Sequence, residues 1–495
     1  MKKLLFYILI VLIIGLQSCV DLDQAPYSTL TPENFFKNEA DAKSAVMSAY
    51  SAFTNTDIFN QFSETIHTQG TDDSEWGYGR STANVDKNDF DQYAYTPESN
   101  LIYRVWKGYY AGINTCNYAI DNIEAMLSGR ISDTRRKQLI GEAKFLRAYF
   151  YFAMARYWGD VPLVTKQTTS LDRLEVPKEP VEKVYALVIE DLEYAVENLP
   201  LKSEYTKSDL GRATKGAALA QLAKVYLTLE NWQKVVELTG QVMQMGYTLY
   251  SNYADNFDIT KKNGAESIFE IQFLGGDGNP GSIYNGFFRP PFVTINGWAG
   301  YGDDPVTKNL YDAYGTSGDK RRDVNVRLYT RTEYPNMNVS IQFPYYCNKY
   351  LDFSTTATRS SSSNNHVVLR YADIYLMRAE ALGRMNVNDP NAYEYLNIIR
   401  RRAHGFPVDQ PAGCDIKPVG SVSGFVNIIL LERRLEFAFE AHRRYDLLRT
   451  KTLKEAMMAQ NPDIGNKVSE KHYWFPVPQA ELDANRLLEQ HPLWK

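Results

Sequence analysis

The chain has 495 residues and a formal net charge of −5 at pH 7, with 44% hydrophobic and 23% charged residues. That length exceeds a single small core and calls for two or three closely packed lobes, and the composition is that of an ordinary globular protein. An acidic balance excludes the basic footprint of a nucleic-acid binder. Tyrosine is abundant, with 35 residues beside 23 Phe and 7 Trp. Such rings, apolar on the face and polar at the edge, suit sugar or peptide surfaces and equally suit packing in helical arrays.

In chain order, Lys2 and Lys3 precede a run of about a dozen apolar residues at 4–16, the layout of a secretory signal peptide. The run is too short to span a bilayer, which takes ~20 apolar residues. Leu16-Gln17-Ser18-Cys19 follows the pattern of a bacterial lipoprotein signal. Residues 1–18 are therefore expected to be a signal peptide and Cys19 the site of lipid attachment. No later apolar run approaches membrane length, so that lipid is the only expected membrane contact. Residues 19–30 read as a polar tether.

Thr31-Pro32-Glu33-Asn34 is a helix-start signal, and the helix should continue through Ala45, Ala49 and Phe53. Helical periodicity returns at 101–127, 138–158 and 180–199. Residues 213–247 form a helix–turn–helix pattern: Ala217, Ala220 and Ala223 share a face, Glu230-Asn231-Trp232 makes the turn, and a second apolar face follows. This is the pattern of a tetratricopeptide-type repeat, whose period is ~34 residues. Residues 370–402 repeat it, and 427–448 read as one further long helix. Between them, 264–350 changes character, with strand-like alternation at 267–273, 327–330 and 340–343 among Gly- and Pro-rich loops. The expected architecture is mainly α: tetratricopeptide-like helix pairs carrying a loop-rich, short-strand insertion. The expected regions are 31–263 (helical), 264–350 (loops and short strands holding the ligand) and 351–495 (helical).

Long irregular loops on a rigid scaffold are where binding residues usually sit. The first candidate is the loop at 70–79, which joins Asp72, Asp73, Glu75, Trp76 and Tyr78. Aromatic faces stack on the C–H surfaces of sugar rings while carboxylates accept hydroxyl hydrogens, so this mixture fits a carbohydrate. A plain surface loop with Trp76 packed on the scaffold fits equally well. The second candidate is Trp298 and Tyr301 with Asp303 and Asp304, and Tyr284 as an outlier.

Other motifs carry less. Gly276-Asp277-Gly278-Asn279-Pro280-Gly281 matches G-x-G-x-x-G, but Pro280 interrupts it and no helix start follows, so it reads as a loop. Six histidines form no H-E-x-x-H, and G-x-S-x-G is absent. Cys116, Cys347 and Cys414 are too scattered for a disulfide framework or a metal cluster. Asp303-Asp304 and Asp277–Asn279 lack the spaced oxygens of an EF-hand. No metal, cofactor or catalytic residue is assigned. Arg433, Arg434, Glu436, Glu440, Arg443 and Arg444 alternate charge at helical spacing and should tie helices together. A catalytic pair among Glu432, Glu436 and Glu440 is disfavoured, because so many arginines keep acids ionised. A glycosidase needs only two suitably separated carboxylates and is the main enzymatic alternative.

Longer motifs carry a family resemblance. They are Gly141-Glu142-Ala143-Lys144-Phe145-Leu146-Arg147-Ala148 with Arg156-Tyr157-Trp158-Gly159-Asp160-Val161-Pro162, the Trp106 to Asn117 segment, and Arg370-Tyr371-Ala372-Asp373. Glu432-Arg433-Arg434 through Arg449 and Trp474-Phe475-Pro476-Val477-Pro478 continue them in order. The sequence resembles the SusD/RagB family, departing where the family often ends in Gln-Asn-Pro-Gly-Tyr and this chain has Gln490-His491-Pro492-Leu493-Trp494. The resemblance implies a lipid-anchored outer-membrane protein facing the cell exterior. It also implies a non-enzymatic role: capture of a nutrient, usually an oligosaccharide and sometimes a peptide, as a lid over a SusC-like TonB-dependent transporter. A structural protein that only docks other proteins is the third class.

Overall fold

The computed structural model describes residues 35–76, 85–170, 174–315, 318–334 and 344–495. The signal peptide, Cys19, the tether, the helix start at 31–34, Tyr78 and the strand expected at 340–343 lie outside the described residues.

Asn38 opens the first described helix, α1 (Glu39–Ala52): its side chain accepts from the Ala40 and Asp41 N–H groups, and the Asp41 carboxylate reaches back to the cap. This is a capping box, worth about 1 kcal/mol to the helix end. α2 (Asn100–Ala125), α3 (Asp133–Trp158), α4 (Val181–Asn198), α5 (Lys215–Thr228) and α6 (Trp232–Met243) follow, each packed on its predecessor. Small residues set the spacing. A Cβ on Gly112 of α2 would lie 2.5 Å from the Phe150 ring of α3. Ala217, Ala220 and Ala223 of α5 are fully buried.

The array resumes after the loop region with α7 (Tyr371–Met385), which packs on α6 and carries α8 (Pro390–His404) and α9 (Val422–Glu436). One hydrophobic core runs from Ala49 to Leu488 through both helical regions. The C-terminal segment is stitched to α3: the Phe475 N–H donates to the Tyr157 carbonyl at 2.7 Å and Trp158 Nε1 to the Pro476 carbonyl at 2.9 Å. Among the described residues no helix is long and apolar enough to cross a membrane.

The long helix expected over 427–448 is instead broken. α9 ends at Glu436 and α10 (Arg443–Arg449) starts anew. Phe439 and Ala441 between them take left-handed backbone, φ +63° and +62°. Distant side chains replace the missing helical donors. Tyr253 Oη and Arg370 Nη2 donate to the Glu436 carbonyl at 2.7 and 2.8 Å, Lys349 Nζ to Ala438 at 2.6 Å and Tyr350 Oη to Phe439 at 2.7 Å. Satisfied carbonyls make the break affordable in a buried setting.

Around the break lies a belt of buried ion pairs. Glu436 is held by Arg321, Arg370 and Arg402, Glu440 by Lys349 and Arg370, and Glu432 by Arg321 and Arg400. Burial pushes the Glu436 carboxyl up, but three guanidiniums overcome it and hold it far below its ordinary value. These acids tie helices together, as their spacing predicts.

Strand β1 (Ser267–Ile271) pairs antiparallel with β6 (His366–Arg370), a partner far along the chain. β2 (Thr294–Ile295) pairs with β3 (Trp298–Ala299), and β4 (Val326–Leu328) with β5 (Tyr345–Cys347). A separate core of Tyr284, Phe287, Phe288, Val306, Val326 and Tyr350 holds these loops against Leu435 and Phe439 beside the helix break.

Candidate ligand-binding site

The described part of the acidic loop, 70–76, is not an open binding surface. Asp72 accepts from Arg443 Nε and Nη2, both at 2.7 Å, and Asp73 accepts from Arg434 Nε at 2.6 Å. Burial pushes the Asp72 carboxyl up, but Arg434 and Arg443 outweigh it and hold it at about 2. Burial and the Asp72 charge push Asp73 upward against the pull of Arg434. Thr307 N–H donates to the Asp73 carbonyl at 3.0 Å, and Thr307 Oγ1 to that of Asp72 at 2.7 Å. Trp76 is 0% exposed, with Lys87 Nζ 4.9 Å from its ring centroid. The expectation that Asp72, Asp73 and Trp76 contact ligand is corrected here: the loop is a clamp between the loop region and the arginines of α9 and α10. A carboxylate two residues from a tryptophan reads identically whether it faces solvent or a buried guanidinium.

Tyr284 is also interior, at 0% exposure. Its hydroxyl donates to Glu64 Oε2 at 2.9 Å and sits 2.8 Å from His366 Nδ1. Burial raises the Glu64 carboxyl to about 8, lowers His366 to about 3 and raises Asp304 to about 7. Asp304 accepts from Ser74 Oγ at 2.5 Å, and Asp303 pairs with Lys87 at 2.8 Å. Tyr284, Asp303 and Asp304 thus support the loops from beneath.

Trp298 is presented outward, with Tyr301 half-buried two residues beyond β3. Asn296 and Gly297 adopt φ +50° and +82° between β2 and β3, the two-residue Asn-Gly turn that matches hairpin twist. The turn lifts Trp298 onto the surface, where it is 46% exposed. Arg289, fully buried, donates Nη2 to the Trp298 carbonyl at 2.8 Å. The Tyr301 N–H donates to the Gly286 carbonyl at 2.8 Å and the Gly302 N–H to that of Arg289 at 3.0 Å.

A second loop, 352–363, lies alongside. Asn296 Nδ2 donates to the Ser354 and Ala357 carbonyls at 2.7 and 3.0 Å. Asp352 accepts from the Ser354 and Ser363 N–H groups at 2.8 and 2.7 Å. Gly286 admits this loop, since a Cβ there would stand 1.9 Å from the Arg359 carbonyl oxygen. Arg359 Cζ then lies 5.6 Å from the Trp298 ring centroid and 4.9 Å from that of Tyr301. Phe353, on the same loop, is 71% exposed. The result is a ledge of exposed aromatic faces bridged by one guanidinium. Arg359, Phe353 and Asn296 are not foreseen from the sequence. Asn296-Gly297 flanked by β-formers was the available signal for the hairpin.

Comparison with known proteins bears on the fold and the family. A model described as "SusD family" matches residues 327–494, and one described as "Starch-binding associating with outer membrane" matches residues 22–227. SusD-like protein P25 of Formosa agariphila is 27% identical over 96% of this chain and 96% of its own length. A SusD homologue from Bacteroides thetaiotaomicron superposes with a TM-score of 0.81 at 24% identity, covering 94% of this chain and 98% of that one. A structure titled as a laminarin-binding SusD-like protein has a TM-score of 0.78 at 26% identity, covering 92% of this chain and 99% of that one. With two family models matching in order along the chain, a relative aligned over nearly its whole length and a shared fold, the chain belongs to the SusD/RagB family.

Proposed function

We propose that this protein is a cell-surface lipoprotein that binds an extracellular oligosaccharide and passes it to a SusC-like TonB-dependent outer-membrane transporter. The observation that carries the reading is the ledge of Trp298 and Tyr301, held out on a pinned hairpin beside Phe353. Exposed rings on a rigid support bind sugar faces without much loss of side-chain freedom. The laminarin-binding relative supports a glycan as the ligand class. Cys19 would carry the lipid anchor.

The role is binding without catalysis. Glu432, Glu436 and Glu440 are committed to arginine and lysine partners. Glu64 and Asp304 have the raised values of a general acid, but both are 0% exposed, beyond the reach of a sugar. Capture of basic peptides by an acidic loop loses its support, because Asp72 and Asp73 already face Arg443 and Arg434.

The test is a screen of the mature protein against arrayed glycans and peptide pools, with analysis of the bound material. Retention of one glycan class, recovered uncut, supports the reading. Retention of peptides alone, or release of shorter glycans, overturns it.

A further inference from the structure

We infer that the ledge selects an anionic saccharide, one bearing a carboxylate or a sulfate ester, and that Arg359 is the group that selects it. This inference rests on the glycan-binding reading above. It adds the charge of the ligand.

The argument starts from what Arg359 does not touch. Among the described residues its guanidinium has no carboxylate partner and no hydrogen-bond acceptor; its neighbours are the Trp298 and Tyr301 rings. Arg321 and Arg370, by contrast, each face three acids. Two acids of the loop region are otherwise engaged. Asp352 accepts two backbone N–H groups, and Asp303 faces Lys87.

A second cation stands behind the ledge without a counter-charge. Arg289 is 0% exposed and uses one nitrogen to hold the Trp298 carbonyl, while its Nε and Nη1 have no partner among the described residues. Arginine stays protonated even when buried. Two uncompensated guanidiniums at one surface site make a local positive potential on an acidic protein.

The geometry suits a charged sugar. The half-buried guanidinium offers a flat fork for the two oxygens of a carboxylate or sulfate. The flanking rings offer faces for the pyranose to which that anion is attached. Contact with both rings restrains the side chain before binding, so less freedom is lost on binding.

The test compares matched pairs on the full chain purified in detergent: oligogalacturonate against its carboxyl-reduced neutral form, and dextran sulfate against dextran. We expect the acidic member of at least one pair to bind about tenfold or more tighter, the size of one charge-assisted contact, and to weaken as salt is raised. Which pair discriminates tells uronate from sulfate. Arg359→Gln should remove the preference, and Arg359→Lys should retain part of it. Circular dichroism of each variant checks folding. Equal binding of acidic and neutral members, unchanged in Arg359→Gln but lost in Trp298→Ala, would overturn this inference and leave the glycan reading standing. No binding of any glycan would overturn both.

Discussion

At the scale of single residues, burial decides which side chains are free to work. Trp76 and Trp298 are both loop tryptophans next to polar residues, yet one is 0% and the other 46% exposed. Trp76→Ala should cost about 3–5 kcal/mol of stability, as for a fully buried large aromatic. Trp298→Ala should cost less than about 1 kcal/mol and instead reduce binding. Chemical denaturation of the two variants separates these roles.

The buried carboxyls make stability depend on pH in two opposite ways. Glu64 and Asp304 are raised by burial to about 8 and about 7, so the folded state holds their protons more tightly than the unfolded state. Their contribution is full below the ordinary carboxylate range and falls as pH rises through those values. Glu64→Gln keeps an acceptor for Tyr284 and should flatten the fall in Tm between about pH 5 and about pH 8. Asp72, held at about 2 by Arg434 and Arg443 against its burial, works the other way: its contribution is present at neutral pH and is lost as pH falls towards 2.

At the scale of elements, the helices were legible and their ends were not. Periodicity locates α2, α4 and α6 to α8 to within a few residues, because each buries an apolar stripe against a neighbour, whereas α3 and α5 are buried nearly all round. The break after Glu436 was invisible, since the donors that replace helical N–H groups come from Tyr253, Lys349, Tyr350 and Arg370. The pairing of β1 with β6 spans nearly a hundred residues and leaves no local trace. The candidate site was half legible. Trp298 and Tyr301 stood out by type, and the Asn296-Gly297 turn was a local sign of the hairpin, but the burial of Trp76 and Tyr284 depends on Lys87, Glu64 and His366, which lie elsewhere in the chain.

The ion-pair belt also belongs to this scale. Glu436→Ala would take one carboxylate from each of Arg321, Arg370 and Arg402, which keep Asp319 and Glu432, Glu266 and Glu440, and Glu266, and should cost about 3 kcal/mol, read from the denaturation midpoint. In the hairpin, Gly297→Val would force a β-branched side chain to φ +82°. That strain, about 1–3 kcal/mol, should loosen the Trp298 hairpin and weaken ligand binding while α-helical content stays unchanged.

At the scale of the whole molecule, a continuous helical core serves as a rigid base, and the loop region is fastened to it at three places. These are the Asp72–Arg443 and Asp73–Arg434 clamp, the Glu436 belt, and the β1–β6 ladder. Such fastening lets loops without long secondary structure hold aromatic side chains in fixed positions. If the protein acts as the lid we propose, Cys19→Ala should abolish lipid labelling and outer-membrane retention, and the native form should co-purify with a TonB-dependent transporter.

The central claim is that the exposed rings of the hairpin bind a glycan without cleaving it. Titration calorimetry of the native chain and of Trp298→Ala and Tyr301→Ala, with the glycan retained in the array screen, tests it most directly. The account predicts saturable binding that weakens at least about tenfold in each variant, with no new reducing ends in the recovered ligand. Binding unchanged in both variants, or release of new reducing ends by the native chain, would contradict it.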